Sequence, residues 1–180
     1  TRILASNAIC REAAASYLKS GMPQLRYIDA PDLDGEANTM ARRLAALVID
    51  EHTQNEIPAR PFGFVAGGET TVTLGSSNPG KGGRSQELAL AFALAMREAG
   101  LGAPQRWAIL AAGTDGRDGP TDAAGGFITS EQGVDQAAAS TALLEHASYD
   151  YLRAHDQLLT TGATGTNLAD LVLVIAQSSK

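Results

Sequence analysis

Cys10 is the only cysteine in 180 residues, so an internal disulfide framework is excluded and a reducing compartment suits the chain. His52, His146 and His155 are the only histidines, and they fall on expected helices without metal-ligand spacing, which leaves a zinc centre without support. Basic residues are also scarce, with 14 Lys and Arg against 20 Asp and Glu for a net charge of −6, and they form no run. That balance argues against a nucleic-acid footprint, and it means that a small anionic substrate must be met by a few placed cations. No apolar stretch approaches the roughly 20 residues needed to cross a bilayer, and no signal-like segment opens the chain. A soluble, cytoplasmic protein is expected. No Gly-x-Ser-x-Gly elbow or Ser/His/Asp order stands out, so hydrolase chemistry has no support. The length favours one domain with a sizeable core, and the abrupt start at Thr1-Arg2-Ile3-Leu4 reads as a piece of something longer.

What the chain does have is glycine in clusters, and the richest cluster also carries acids. Gly113–Gly126 (GTDGRDGPTDAAGG) places Asp115, Asp118 and Asp122 directly after the apolar run Trp107–Ala112. That run reads as a strand buried on both faces, because it does not alternate. The acidic loop therefore lies at a strand's carboxyl end, the edge at which open α/β sheets bind ligands. The same composition is also what ordinary turns are made of, so spacing alone leaves both readings open.

Taken in order, Ile3–Ala5 is expected as a strand and Asn7 as the cap of a helix over Ala8–Lys19, in which Cys10 packs as a small core residue. Leu25–Asp29 predicts a second strand. Ala37, Met40, Ala41, Leu44, Leu47 and Val48, at intervals of three and four, give one apolar face to a helix over Gly35–Glu51. Asn55–Pro61 is the best internal boundary, separating a segment 1–57 from a region 58–180 that packs with it as one domain. Phe62–Ala66 and the β-branched Thr71–Leu74 predict strands, with Glu69 between them as either a turn residue or a carboxylate aimed into a cleft. A helix from Arg84 to about Glu98, the strand 107–112, a short strand Phe127–Thr129, helices Ala137–His146 and Tyr149–His155, and the strand Leu171–Ile175 complete the chain. Alternating strands and helices imply an α/β fold: a layered sheet, mostly parallel or mixed, flanked by helices, with its glycine-rich loops at one rim.

Gly75–Gly82 nearly fits a phosphate loop, but Gly82 stands where a Ser or Thr hydroxyl would bind magnesium. What survives is a glycine-rich backbone beside a helix N-terminus, which favours an anion. Arg84 is unfavourably placed for the helix dipole there. It is either a surface arginine or a planar fork for phosphate or carboxylate. Thr160–Asn167 repeats the glycine theme with added hydroxyls, as a donor-lined loop or as a self-bonded turn.

Three motifs in this order and spacing, Gly67–Thr71 (GGETT) with Gly82–Leu88 (GGRSQEL), Gly113–Gly125 (GTDGRDGPTDAAG) and Thr161–Asp170 (TGATGTNLAD), resemble the carboxyl-terminal MOFRL region of the glycerate 2-kinase family, whose members are also labelled hydroxypyruvate reductases. The likeness runs from about Phe62 to Ile175, and residues before Pro58 resemble the segment joining this region to the family's amino-terminal domain. It implies a two-domain α/β enzyme that transfers the ATP γ-phosphoryl group to the 2-hydroxyl of glycerate in an interdomain cleft, with Mg2+. By motif, the resemblance makes Arg84 the active-site arginine and Asp115 and Asp118 the acids facing the cleft, as metal ligands or base. It adds Glu69, Gly83, Gln86, Thr114, Thr164 and Asn167 as substrate- or phosphate-binding residues, and leaves the roles of Glu87 and Asp122 open. The implied partners are glycerate or a similar small hydroxy acid, a nucleotide and the amino-terminal domain, with neither nucleic acid nor membrane; a homodimer is compatible. Lys81 is not equated with the family's catalytic lysine, which belongs to that amino-terminal domain, so the 180-residue fragment alone is expected to be inactive. A reductase would need a Gly-x-Gly-x-x-Gly fingerprint that has no recognisable counterpart here, and a non-catalytic anion-binding module is the remaining alternative.

Overall fold

The last strand of the chain lies inside the sheet, and that insertion decides where the glycine-rich loops go. The computed structural model describes residues 5–54, 60–75 and 79–177. Its elements are α1 (Asn7–Gly21), β1 (Arg26–Tyr27), α2 (Ala37–Gln54), β2 (Phe62–Gly68), α3 (Arg84–Ala99), β3 (Arg106–Gly113), β4 (Gly125–Thr129), α4 (Gln136–Leu144), α5 (Ser148–Ala154), β5 (Leu158–Leu159) and β6 (Asp170–Gln177). The strand order is β1-β2-β6-β3-β4-β5, in which only β1 and β2 pair in parallel. β6 runs antiparallel to both neighbours, with Gly63 opposite Ile175 on one side and Ile175 opposite Ala108 on the other.

The sheet is thus mixed, and mostly antiparallel rather than mostly parallel. The strand–helix–strand unit β2-α3-β3 does join two strands of the same direction, as the alternation implied, but β6 enters between them the other way. Because β2 and β3 end at the rim where β4 and β6 begin, the loops after Gly68 and Gly113 and the loop before Asp170 share that rim.

One face of the sheet makes the core. Phe62, Phe64 and Ala66 of β2, Ile109 and Ala111 of β3, Ile128 of β4, and Val172, Val174 and Ala176 of β6 pack with Met40, Leu44 and Val48 of α2 and Leu88, Phe92 and Met96 of α3. Phe92 meets Trp107 edge to face, with centroids 5.7 Å apart. The opposite face is covered less: α1 lies over β2, where a Cβ on Gly67 would strike the Asn7 and Arg11 side chains. Consequently the apolar run of β6 is buried only at alternate positions, and Ala108 and Leu110 of β3 are half-buried. The expectation of burial on both faces of residues 107–112 is corrected accordingly.

Ser6, not Asn7, caps α1, its side chain accepting the Ile9 N–H. Asn7 instead donates its side-chain amide to the Leu168 and Asp170 carbonyls, at 2.7 and 3.1 Å, tying α1 to the start of β6. Cys10 is half-buried rather than part of the core cluster. Residues 72–74 form no strand, and Thr71 contributes only an isolated bridge to Glu36. Most of the expected strand at Ile3–Ala5, most of the boundary 55–61 and part of the loop 75–83 lie outside the described residues. Among the described residues, no helix is long and apolar enough to cross a membrane.

Candidate active site

At the shared rim the first side chain of α3 reaches across to the first of β6. Arg84 Nε donates to Asp170 Oδ2 at 2.6 Å and Nη2 to Asp170 Oδ1 at 3.1 Å, while Nη1 donates to Glu69 Oε1 at 2.6 Å. Asp170 is 5 % exposed, so its charge is held in place chiefly by this two-pronged contact. The bond from Arg84 to Asp170 raises the guanidinium's pKa. Burial pushes the Asp170 carboxyl above its usual range, against the stabilising arginine. A cation at a helix N-terminus opposes the dipole, and these two carboxylates account for its presence.

α3 starts after Gly83, which has no side chain with which to cap it. Asp118, from the loop after β3, does so from a distance: Oδ1 accepts the Ser85 N–H at 3.1 Å and Oδ2 the Gln86 N–H at 2.7 Å. A Cβ on Gly83 would collide with this carboxylate, so glycine is required there for space and not for an unusual φ. The helix terminus that was expected to meet a ligand's anion meets the protein's own. Burial raises the Asp118 pKa to about 6, with the two N–H bonds opposing it. Gln86 is fully buried, and its Nε2 donates to Thr121 Oγ1 at 2.8 Å. It props the acidic loop from beneath, and in this arrangement has no surface to offer a ligand.

Asp115 is half-buried, with Oδ1 accepting the Arg117 N–H at 2.9 Å. Thr114 and Thr164 stitch two loops together, because Thr164 Oγ1 donates to the Thr114 carbonyl at 2.5 Å and Thr114 Oγ1 takes the Leu168 N–H at 2.7 Å. Asn167 accepts the Ala169 N–H at 3.1 Å, a local turn bond. Asp122 is exposed and accepts the Tyr149 hydroxyl at 2.6 Å, which lowers its pKa.

Gly116 sits where the two loops touch, at φ 84°, and a Cβ on it would overlap the Gly162 carbonyl. Both the backbone conformation and the contact exclude a side chain there. Gly116→Ala is expected to part the loops and lower Tm by several degrees, whereas Gly162→Ala, which meets no neighbour, should show only the milder cost of its φ of 69°. Differential scanning calorimetry of the two variants distinguishes them, and equal shifts would refute the contact argument.

These loops enclose a cleft of about 450 Å³ whose charged and titratable lining is Arg84, Glu87, Asp115, Arg117, Asp118 and His146. Arg84, Gly83, Asp115 and Asp118 therefore come together as expected, and Glu69 joins them through Arg84. Thr114, Thr164 and Asn167 bind neighbouring loop segments, and Gln86 lies below. Asp170 and the pair Glu87–His146 were not among the expected binding residues. Asp170 had a signal, as an acid at an inward position of an otherwise apolar strand, which needs a cation. His146 had none, because its place depends on how α4 turns into α5. Glu87 is almost buried, with Oε1 accepting from Asn38 Nδ2 and Oε2 3.2 Å from His146 Nδ1. Burial raises the Glu87 pKa despite the histidine.

Among the described residues no group of three or more His, Cys, Asp or Glu is arranged to hold a metal. A magnesium ion fits here only as it is commonly bound, by one or two carboxylates with substrate phosphates. Asp115 has an oxygen without an intramolecular donor among the described residues, while both Asp118 oxygens already accept backbone N–H groups.

The fold and site define an α/β domain with an acid-rich, arginine-bearing cleft at one rim of its sheet. The chain belongs to the MOFRL family, whose profile matches residues 62–170. It is 36 % identical over 97 % of its length to an Agrobacterium vitis protein provisionally named as a hydroxypyruvate reductase, of which it covers 39 %. It is 35 % identical over 99 % of its length to the glycerate 2-kinase of Pyrococcus horikoshii, covering 40 % of that protein. The crystal structure of glycerate kinase from Thermotoga maritima superposes with a TM-score of 0.81 at 33 % identity, over 97 % of this chain and 41 % of the other. The chain thus spans about two fifths of the length of these relatives.

Proposed function

We propose that the whole protein phosphorylates glycerate, transferring the γ-phosphoryl group of ATP to the 2-hydroxyl, with this chain forming one wall of the site. The observation that carries the reading is the junction of Arg84, Asp115 and Asp118 in one cleft, on a chain similar to glycerate kinases. Phosphoryl transfer asks for positioning and charge neutralisation more than for covalent help from the protein. Arg84 has five N–H donors, of which three are bonded to Asp170 and Glu69, so two are left for an oxyanion. Its carboxylate partners fix the plane of the guanidinium. The site thereby has a preset direction of approach without side-chain reordering.

Asp115, with its open oxygen, is the residue for a Mg2+ ion, which would neutralise phosphate charge when bound. Asp118 keeps α3, and with it Arg84, in register with the acidic loop. The cleft holds more acids than cations, so a phosphate chain needs further positive charge from the metal or from the remainder of the polypeptide. Such sharing suits a cleft closed by a second domain.

The test is an assay of the whole protein with glycerate, ATP and Mg2+, run beside hydroxypyruvate with NADH. ADP formation that depends on glycerate is expected. NADH oxidation without ADP formation would favour the reductase named for the Agrobacterium vitis relative, and neither activity would leave the anion-binding module.

A further inference from the structure

Beyond Arg84, one other nitrogen donor on the cleft wall is held by a buried partner. His146 follows α4 in the turn before α5, at φ 54°, a left-handed conformation that a residue with a Cβ adopts at a cost. Its Nδ1 lies 3.2 Å from Glu87 Oε2, and the other oxygen of Glu87 accepts from Asn38 Nδ2 at 3.2 Å. The carboxylate is thus pinned between a helix and a turn, and it fixes the ring in turn. With Nδ1 facing the carboxylate, Nε2 is the ring's other polar atom, and the ring borders both this cleft and the groove beside Asn38, Arg42 and Glu98. Glu87 and Asn38 hold the ring as a carboxylate holds a ligating or catalytic histidine elsewhere, setting tautomer and orientation.

We propose that His146, oriented by Glu87, is an oxyanion contact of this cleft: with its Nδ1–H on the Glu87 carboxylate, the imidazolium donates its Nε2–H to a carboxylate or phosphate oxygen of the ligand. The charged groups around it are Glu87 from α3, Glu36 from the turn before α2, Arg84, Asp115, Arg117 and Asp118 across the cleft, and the Arg42–Glu98 pair on its other side. The inference deepens the kinase reading and rests on it only for the identity of the ligand.

Two measurements separate the inference from that reading. In the whole protein, His146→Asn removes the imidazole while suiting the left-handed backbone, and because it also takes one partner from the buried Glu87, Tm should fall by only a few degrees. Its kcat/KM for glycerate phosphorylation should nevertheless fall at least tenfold. Glu87→Gln, which keeps an acceptor for Nδ1–H, should retain part of the activity. Independently of any turnover, the whole protein labelled at histidine should show a saturable shift of the His146 Cε1–H resonance, assigned by its loss in His146→Asn, on titration with inorganic phosphate, and separately with glycerate. A shift with one ligand alone identifies the oxyanion. A phosphate shift in a protein without kinase activity upholds the contact and removes the kinase reading. Kinase activity with an unchanged kcat/KM in His146→Asn and no His146 resonance shift overturns the contact and leaves the kinase reading standing. An absence of both the activity and the shift overturns both.

Discussion

Arg84→Lys in the whole protein is expected to lower kcat/KM for glycerate phosphorylation by about 10³-fold, the lower end of what a transition-state arginine contributes in phosphotransferases. Lysine keeps the positive charge beside Asp170 but loses the planar fork. A single ammonium cannot span both Asp170 oxygens, reach Glu69 and still direct donors into the cleft, so charge persists where direction is lost. Tm should therefore stay near that of the unaltered protein. Arg84→Ala is a different experiment, because it leaves the nearly buried Asp170 without its counter-ion. Breaking a buried pair typically costs about 3–5 kcal/mol, and the arginine's 35 % exposure places this one below that range, at about 2 kcal/mol. Adding Asp170→Asn to Arg84→Ala should restore much of the stability and none of the turnover. Wild-type kcat/KM in Arg84→Lys would remove the arginine from the chemistry.

Asp118→Ala is expected to be the most damaging substitution for stability at the rim. It strands the Ser85 and Gln86 N–H groups, both buried, at about 1–3 kcal/mol each. A loss of about 2–6 kcal/mol lowers Tm by on the order of 10 °C in a chain of this size. Asp118→Asn is milder and exposes the electrostatics. With a folded pKa of about 6 against 3.8 for the free side chain, the native state holds the proton more tightly than the unfolded one. The favourable contribution is full below pH 3.8 and is lost as pH rises through 6, about 3 kcal/mol in all. Relative to Asp118→Asn, the unaltered protein should therefore lose unfolding free energy between pH 4.5 and 7 in urea titrations. A constant difference across that window would mean that the two N–H bonds outweigh burial and keep Asp118 ionised throughout.

These expectations also mark how far the linear chain could be read. The amphipathic spacing of Met40, Leu44 and Val48 gave α2, and the stripe through Leu88, Phe92 and Met96 gave α3, because helical period is a local property written directly in residue order. The glycine-rich stretches at 114–124 and 160–167 were legible as loops for the same reason, and their acids and Arg84 as candidates for one site, whereas the β-branched Thr71–Leu74 suggested a strand that does not form. Which anion meets the α3 N-terminus was not legible. Asp118 competes for it through a contact spanning 33 residues, and no local pattern records such a bond.

Residue order by itself therefore determined the helices, the apolar strands and the chemical types gathered in the loops, since each depends on neighbours a few positions away. Only the tertiary structure decided that β6 enters antiparallel between β2 and β3, bringing Asp170 beneath Arg84, and that the α4–α5 turn places His146 against Glu87. Those pairings join residues 86 and 59 positions apart, and they follow from how a covered sheet face closes its core, which no short stretch of the chain specifies.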